Sequence, residues 1–286
     1  MTGPEDADEL RAALLDRWER SAPGWAVGRE RIRAFGMPVS ERMIDAVSPE
    51  PGQRLLELAA GVGDTGLLAA ARLRPGGTLV SSDATKGMLE AARARAAELG
   101  VDNVEFARLE LEWIDLPTAS VDAVLCRWGL MFAVDPEAAL TETRRVLSSG
   151  GRLAVAVWDG PEHNPWATIP PDALVALGHL EPPDPSVPGM FALAAPGRIR
   201  DLLEGAGFTE VTVDAVEFEA THASLDAYIE HTLDVSRAFG DTVGGLSEAD
   251  RDAVRAAIGT RVAPFATGAG GALRMPARSL VATASA

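Results

Sequence analysis

The chain has 286 residues, of which 47% are hydrophobic and 24% are charged, and its formal net charge is −16 at pH 7. This length suits one α/β domain with a small cap, and the composition is that of a globular protein. The acidic balance argues against a nucleic-acid substrate, because binding a polyanion requires a basic surface.

The single cysteine, Cys126, excludes an internal disulfide and a cysteine-based metal cluster. The four histidines lack metal-ligand spacing, so we expect no bound metal. No apolar run approaches the roughly 18 residues of a membrane span, and the acidic start lacks the basic-then-apolar order of a signal peptide. We therefore expect a cytoplasmic protein without a membrane partner, and we leave homo-oligomerisation open.

The N-terminal segment, residues 1–50, is predicted to form a helical cap. Between residues 5 and 47 its apolar residues recur at helical spacing, at Leu10, Leu14, Leu15 and Trp18 and again at Ile32, Met43, Ile44 and Val47. A turn at Pro51 and Gly52 separates this cap from the main domain, residues 51–286.

After this turn, strands and helices alternate with short glycine turns between them. This alternation is typical of a parallel sheet covered by helices on both faces. The fold is therefore predicted to be a doubly wound, mostly parallel, seven-stranded α/β sheet. The strands are predicted at residues 54–60, 78–83, 104–109, 121–126, 152–158, 208–218 and 280–284. Helices are predicted to end at residue 73 and to span 86–99, 136–147, 198–204 and 224–262, with a flexible loop at 266–271.

Three segments fall outside this alternation: the N-terminal helices, a proline-rich insertion at residues 159–196, and residues 222–270. Ligands of open α/β sheets bind beyond the carboxyl ends of the strands. We expect all three segments to form a helical lid over that edge, with packing alone as the alternative.

The stretch from Leu55 to Gly66, LLELAAGVGDTG, carries the most information about a ligand. Gly61, Gly63 and Gly66 match the spacing of the dinucleotide fingerprint. Asp83 lies 20 residues beyond Gly63, where a ribose-binding carboxylate belongs. A nicotinamide or flavin site therefore remains open.

Glu57 favours a different ligand. It lies on a strand that should be buried on both faces, where a carboxylate is costly unless it is paired. A nearby pyrophosphate would raise that cost by repulsion, whereas a cationic ligand would lower it. S-adenosylmethionine (SAM) has an ammonium, a sulfonium and no phosphate. A pairing of Glu57 with an arginine is the alternative.

Five motifs follow one another in a fixed order: residues 57–66, Asp83 at a strand end, EWIDLP at 112–117, VDAV at 121–124 and RVLSSGGRL at 145–153. Together they resemble the class I SAM-dependent methyltransferases, most closely the branch related to ubiquinone and menaquinone biosynthesis methyltransferases. The resemblance covers roughly residues 50–160, with a looser echo in the Gly205, Ala206, Gly207, Phe208 run.

The resemblance implies a Rossmann-like methyltransferase fold, SAM as the cofactor and a set of cofactor-binding residues. It places Glu57 at the methionine end and Asp83 on both ribose hydroxyls. Ala84 and Met88 would flank the adenine. The Glu112 carboxylate would accept a hydrogen bond from the adenine amino group, and the Trp113 backbone N–H would donate to the ring. The remaining contacts would be made by backbone at Ala59, Gly61, Gly63 and Arg127. Ala59 stands where the family often has glycine, and Glu112 where aspartate is commoner.

The reaction and the acceptor are constrained less. A short-chain dehydrogenase needs a tyrosine with a lysine four residues on, but the only tyrosine, Tyr228, is followed there by Thr232. A histidine-assisted nicotinamide oxidoreductase remains an alternative, as does a SAM-fold protein that transfers no methyl. No catalytic residue is assigned, although three histidines are candidate bases: His163, His222 and His231.

The acceptor is predicted to be a small, apolar or aromatic molecule. The Asn/Asp-Pro-Pro-Tyr motif of many amino-group methyltransferases is absent after strand four, where the chain reads CRWG. Aromatic and methionine side chains suit a hydrophobic ligand. Those expected near the pocket, with core packing as the alternative, are Trp18, Trp25, Trp128, Met131, Phe132, Trp166, Met190 and Phe191.

Overall fold

The computed structural model describes residues 4–182, 184, 187–267 and 271–286, with side chains from residue 7 onward. Predictions made for residues 1–3, 183, 185–186 and 268–270 lie outside these ranges. In the described part, no helix is long and apolar enough to cross a membrane.

The centre of the molecule is one mixed sheet with strand order β3-β2-β1-β4-β5-β8-β6. Its first five strands are parallel, and β8 runs antiparallel between β5 and β6. This confirms the predicted doubly wound, mostly parallel sheet. The strands are β1 (Arg54–Leu58), β2 (Thr78–Asp83), β3 (Val104–Arg108), β4 (Val121–Arg127), β5 (Leu147–Trp158), β6 (Thr209–His222), β7 (Ala266–Thr267) and β8 (Ala272–Ser285).

Both faces of the sheet are apolar because successive side chains of a strand point to opposite faces. Leu55 belongs to the cluster shared with α1 and α2, whereas Leu56 belongs to the cluster shared with α4 and α6. The helices are α1 (Pro4–Val47), α2 (Asp64–Ala70), α3 (Lys86–Leu99), α4 (Pro136–Val146), α5 (Pro165–Ala176), α6 (Arg198–Gly205), α7 (Leu225–Val235), α8 (Arg237–Gly244) and α9 (Glu248–Val262).

The N-terminal cap is a single helix rather than several. Helix α1 is 44 residues long and continues through Pro23 and Pro38. A proline inside a helix removes one backbone hydrogen bond, which neighbouring packing can offset. The C-terminal half of α1 supplies that packing, since Val39, Met43 and Ile44 are buried in the core.

Several predicted elements needed correction. The helix expected at 224–262 is three helices, α7, α8 and α9. The last strand, expected at 280–284, is the 14-residue β8, which pairs with β6 from Leu273 to Ser285. Part of the expected flexible loop is strand β7, whose two residues pair with β8. The proline-rich insertion contains α5, as expected of a helical insertion, and Pro165 occupies its first turn, where the missing N–H costs nothing. Arginines alternate with buried residues along β8, and this polar face concealed the strand.

Candidate active site

A cavity of about 370 Å³ lies at the carboxyl edge of the sheet. Its floor is formed by residues that end or follow β1, β2, β3 and β4, and its opposite wall is the N-terminal half of α1. Strand order reverses between β1 and β4, which is the switch point where open α/β sheets bind ligands. The cavity therefore occupies the position that the fold favours for a ligand.

Eight of the ten predicted cofactor-binding residues line this cavity: Glu57, Ala59, Gly61, Asp83, Ala84, Met88, Glu112 and Arg127. Two do not. Gly63 caps α2, and its N–H donates to the Ala60 carbonyl. The Trp113 side chain is 73% exposed, and the N–H expected to reach an adenine ring donates instead to the Glu110 carbonyl at 3.3 Å.

Asp83 is held firmly at the end of β2. Its Oδ2 accepts a hydrogen bond from the Gly61 N–H at 2.9 Å. Its Oδ1 accepts from both the N–H and the hydroxyl of Thr85, each at 2.9 Å. Burial raises the pKa of Asp83, while these hydrogen bonds oppose the rise. The carboxylate is therefore pre-oriented, and its oxygens retain lone pairs for further donors.

Glu57 is 3% exposed and reaches the start of α2. Its Oε1 accepts from the Gly66 N–H at 2.7 Å, and its Oε2 accepts from the Ser81 hydroxyl at 3.3 Å. A Cβ at position 66 would lie 2.3 Å from Oε2, so glycine is required there to make room for the carboxyl group. Burial raises the pKa of Glu57 to about 7, and the Gly66 hydrogen bond and the Arg127 charge act against that rise.

Arg127 contributes a side chain as well as the backbone that was expected. Its guanidinium is 9% exposed and lies 3.6 Å from the Asp64 carboxylate at the first residue of α2. Burial lowers the pKa of Arg127 and raises that of Asp64. The expected alternative, an arginine near Glu57, is thus present, but one guanidinium serves two buried carboxylates.

The loop after β3 is tied to α1. Glu112 accepts from Arg11 Nε at 2.5 Å with one oxygen and from the Asp135 N–H at 2.8 Å with the other. Arg11 lines the cavity and was not singled out from the sequence. An isolated arginine on a predicted amphipathic helix carries no signal of such a role. Other lining residues missed in the same way are Ala12, Thr85, Leu109, Glu110, Leu111, Gly129, Ala133 and Val134.

The wall facing the strand ends is apolar and aromatic. Trp18 contacts Trp25 edge to face, with ring centroids 5.7 Å apart, and contacts Phe132 at 5.0 Å. Leu14, Leu15 and Trp128 also line the cavity. The other expected pocket residues pack in or against the core instead: Met131, Trp166, Met190 and Phe191.

Among the residues that the structure describes, one of the three expected lid segments covers the cavity. No described residue of 159–196 or 222–270 belongs to the lining, whereas six residues of α1 do. Helices α5, α7 and α9 bury their apolar side chains in a separate cluster with β8. Helix α7 supports α1 from behind, where Trp25 Nε1 donates to the Val235 carbonyl at 3.4 Å. The expectation that these two segments line the site is therefore corrected.

The candidate histidine bases lie away from the cavity lining. The His222 and His231 rings are 5.5 Å apart and pack with Tyr228 at the end of β6. Burial lowers the pKa of each of these two histidines to about 4. His163 lies beside Asp159 and Glu162 in a separate surface depression.

Comparison with known proteins agrees with this geometry. Residues 56–155 match the family model described as a methyltransferase domain. Over 210 residues the chain is 31% identical to nocamycin O-methyltransferase of Saccharothrix syringae. The matched stretch covers 69% of this chain and 74% of that protein. A demethylmenaquinone methyltransferase of Clavibacter sepedonicus is 40% identical over 116 residues, 41% of this chain and 45% of the relative.

Solved structures share the fold. The YcgJ protein of Bacillus subtilis superposes with a TM-score of 0.56 at 18% identity, covering 86% of this chain and 97% of that one. The fold and these matches together define a Rossmann-like methyltransferase. The chain belongs to the class I SAM-dependent methyltransferases, and SAM is its cofactor. This membership decides against the nicotinamide alternative.

Proposed function

We propose that this methyltransferase acts on a small, apolar or aromatic acceptor held against the wall formed by α1 and Phe132. The single observation that carries the proposal is the division of the cavity into an acidic floor at the strand ends and an apolar, aromatic wall opposite. An acidic floor suits a cationic cofactor, and an apolar wall suits an apolar acceptor.

The floor fits SAM in charge. Glu57 and Asp83 are both buried, and burial raises the pKa of each. A positively charged ligand would lower the cost of ionising them, whereas a diphosphate would increase it. SAM supplies a methyl group already activated by a positive sulfur. The residues of this chain therefore need to bind, orient and exclude water.

The cofactor roles that we propose follow from these positions. Asp83 would accept from the ribose hydroxyls, and Glu57 would face the ammonium of the methionine end. Ala59, at a φ of 50°, and Gly61 would bring backbone close to the cofactor, with Arg127 alongside. The adenine would lie between Ala84 and Met88, near Glu112. Gly63 would act through the shape of the turn, and Trp113 would bond the ring only if its N–H left Glu110.

The acceptor would be positioned by packing. Holding two reactants about 3–3.5 Å apart in line supplies much of the acceleration of such a displacement. The names of the relatives support a small molecule, because one is a nocamycin O-methyltransferase and another a demethylmenaquinone methyltransferase. The chain's charge of −16 also supports a partner other than nucleic acid.

The cofactor site is tested by calorimetric titration with SAM and with S-adenosylhomocysteine (SAH). Asp83→Ala should weaken binding by more than about tenfold, because it removes hydrogen bonds to a charged acceptor. Asp83→Asn is a second variant in case Asp83→Ala does not fold, because asparagine keeps one acceptor oxygen for Thr85. Asp115→Ala, at an exposed aspartate, is the control. Unchanged SAM affinity in both Asp83 variants would contradict the proposed role.

The acceptor class is tested with methyl-labelled SAM and a panel of phenols, quinols, polar amines, RNA and unfolded protein. We expect label transfer to the phenols or quinols. Phe132→Ala should raise the KM for such an acceptor and leave SAH affinity within about twofold, since an apolar side chain of this kind contributes mainly buried area. Transfer to polar amines, RNA or protein alone would refute the apolar acceptor.

A further inference from the structure

The two halves of α1 are anchored to very different degrees. In the C-terminal half, Val39, Met43, Ile44 and Val47 all belong to a large core cluster. In residues 7–22, only Leu14, Ser21 and Ala22 are buried, and Ala22 belongs to a small cluster with Val62 and Met88. Because burial of apolar area dominates anchoring, the N-terminal half depends more on its polar contacts.

The halves meet at the first of the two prolines inside α1. Pro23 has no N–H, so the Glu19 carbonyl lacks its helical donor. The next residue, Gly24, packs directly on α7, since a Cβ there would lie 2.2 Å from the Asp234 carbonyl oxygen. Pro23 and Gly24 therefore mark the position at which α1 is fixed against α7. The part of α1 before them covers the cavity.

The N-terminus of α3 lacks its own side-chain cap. Thr85 occupies the N-cap position, but its hydroxyl donates to Asp83 and makes no capping hydrogen bond. The cap comes instead from α1. Glu19 accepts from the Lys86 N–H and the Gly87 N–H, each at 2.9 Å. A carboxylate at this end of a helix is also favoured by the helix dipole.

Helix α1 also packs closely against the N-terminus of α3. A Cβ at position 87 would lie 2.8 Å from the Ala22 Cβ and 3.0 Å from Glu19 Oε1. Glycine at 87 therefore allows the two helices to dock. Two arginines make further polar contacts of this half: Arg11, two turns before Glu19, bonds Glu112, and Arg20 lies 3.4 Å from the Asp241 carboxylate.

We infer that Glu19 is a positioning residue that holds the N-terminal half of α1 closed over the cofactor, and this inference rests on the cofactor site proposed above. Thr85 bonds Asp83, the acid expected to hold the ribose, and thereby leaves the end of α3 for Glu19 to cap. The floor of the cavity and the N-terminal half of α1 are thus linked by hydrogen bonds that run from Asp83 to Thr85 and from the start of α3 to Glu19. Opening α1 uncaps α3, and this cost slows the release of SAH.

The test compares two glutamates of the same half of α1, each exchanged for alanine to preserve helicity. Glu19→Ala should speed SAH dissociation, followed by tryptophan fluorescence in stopped flow, by at least about fivefold, the factor expected for one lost helix cap. Glu9→Ala, at an exposed glutamate, should change it by less than about twofold. High salt should speed release from the wild type more than from Glu19→Ala, because salt screens the Glu19 carboxylate only in the wild type but screens the Arg11–Glu112 pair in both.

A second variant approaches the contact from α3. Gly87→Ala should also speed SAH release, because its Cβ forces Ala22 away. In both variants, hydrogen exchange should rise in residues 7–22 and stay unchanged in 39–47, which a general loss of stability would not produce.

Equal SAH release from Glu19→Ala and Glu9→Ala would overturn the inference while leaving the proposed function intact. A wild type that binds no SAH would refute the proposed cofactor site itself, and with it the inference.

Discussion

Glu57, for which we propose a binding role, carries a cost to folding. Because burial raises its pKa from 4.5 to about 7, the folded protein holds a proton that the unfolded chain releases earlier. Its contribution to stability is therefore fully present below pH 4.5 and is lost as the pH rises through about 7. Asp64 and Asp83 shift in the same direction. A cationic cofactor would recover this loss at neutral pH.

Glu57→Gln should raise the free energy of unfolding at pH 8, on the order of 3 kcal/mol, because the variant has no charge to bury. The amide keeps an acceptor for the Gly66 N–H and gains a donor for Ser81. The same variant should bind SAM less tightly, so that the substitution raises stability while it lowers SAM affinity. Urea unfolding at pH 5 and pH 8 measures the first effect, with exposed Glu41→Gln as the control. A variant no more stable than the wild type at pH 8 would contradict the assignment.

At the scale of the element, α1 illustrates how a regular pattern can hide two functions. Its apolar residues keep helical spacing from Leu10 to Val47, so the sequence predicts one kind of surface. The structure divides it into a core half and a cavity wall. Local spacing determines that a helix forms and which side is apolar, but what that side faces depends on residues distant in sequence.

Two glycines of α1 provide a matched test of its packing on α7. Gly24→Ala should destabilise the protein by about 1–3 kcal/mol, because the new Cβ meets a backbone oxygen that cannot move freely. Gly28→Ala should stabilise it by about 0.5–1 kcal/mol, since alanine favours the helix. The Cβ at position 28 meets only the Ile32 side chain, at 3.7 Å. Thermal and urea unfolding would measure both, and similar values for the two variants would contradict the packing described.

At the scale of the whole molecule, the buried histidine pair opposes the effect of Glu57. Burial lowers the pKa of His222 and His231 from 6.5 to about 4, and the nearby charge of Arg31 acts in the same direction. Both rings are neutral in the folded state. Their contribution to stability is therefore present above pH 6.5 and is lost as the pH falls through about 4.

The double variant His222→Gln, His231→Gln should lose less stability than the wild type between pH 7 and pH 5. The free energy of unfolding at the two pH values measures this difference. His179→Gln, at a histidine outside the cavity lining, is the control. SAH affinity at pH 7 should not change, because neither ring lines the cavity. If the wild type and the double variant lost the same free energy of unfolding between pH 7 and pH 5, these rings would not be buried in the neutral form.

The sequence by itself determined the alternating strands and helices of the sheet and most of the acidic floor, because each depends on contiguous residues. A strand, a glycine turn and the acid at the next strand end are local patterns, so Glu57, Gly61 and Asp83 can be recognised from the order of residues alone. Tertiary structure alone decided which remote elements complete the site. It brought Arg11 to the loop after β3 and Glu19 to the start of α3, and it packed α5, α7 and α9 in a separate cluster with β8 instead of over the cavity. The physical reason is that an apolar side chain carries the same periodic signal whether it meets the core, another helix or a ligand, and only long-range packing selects among them.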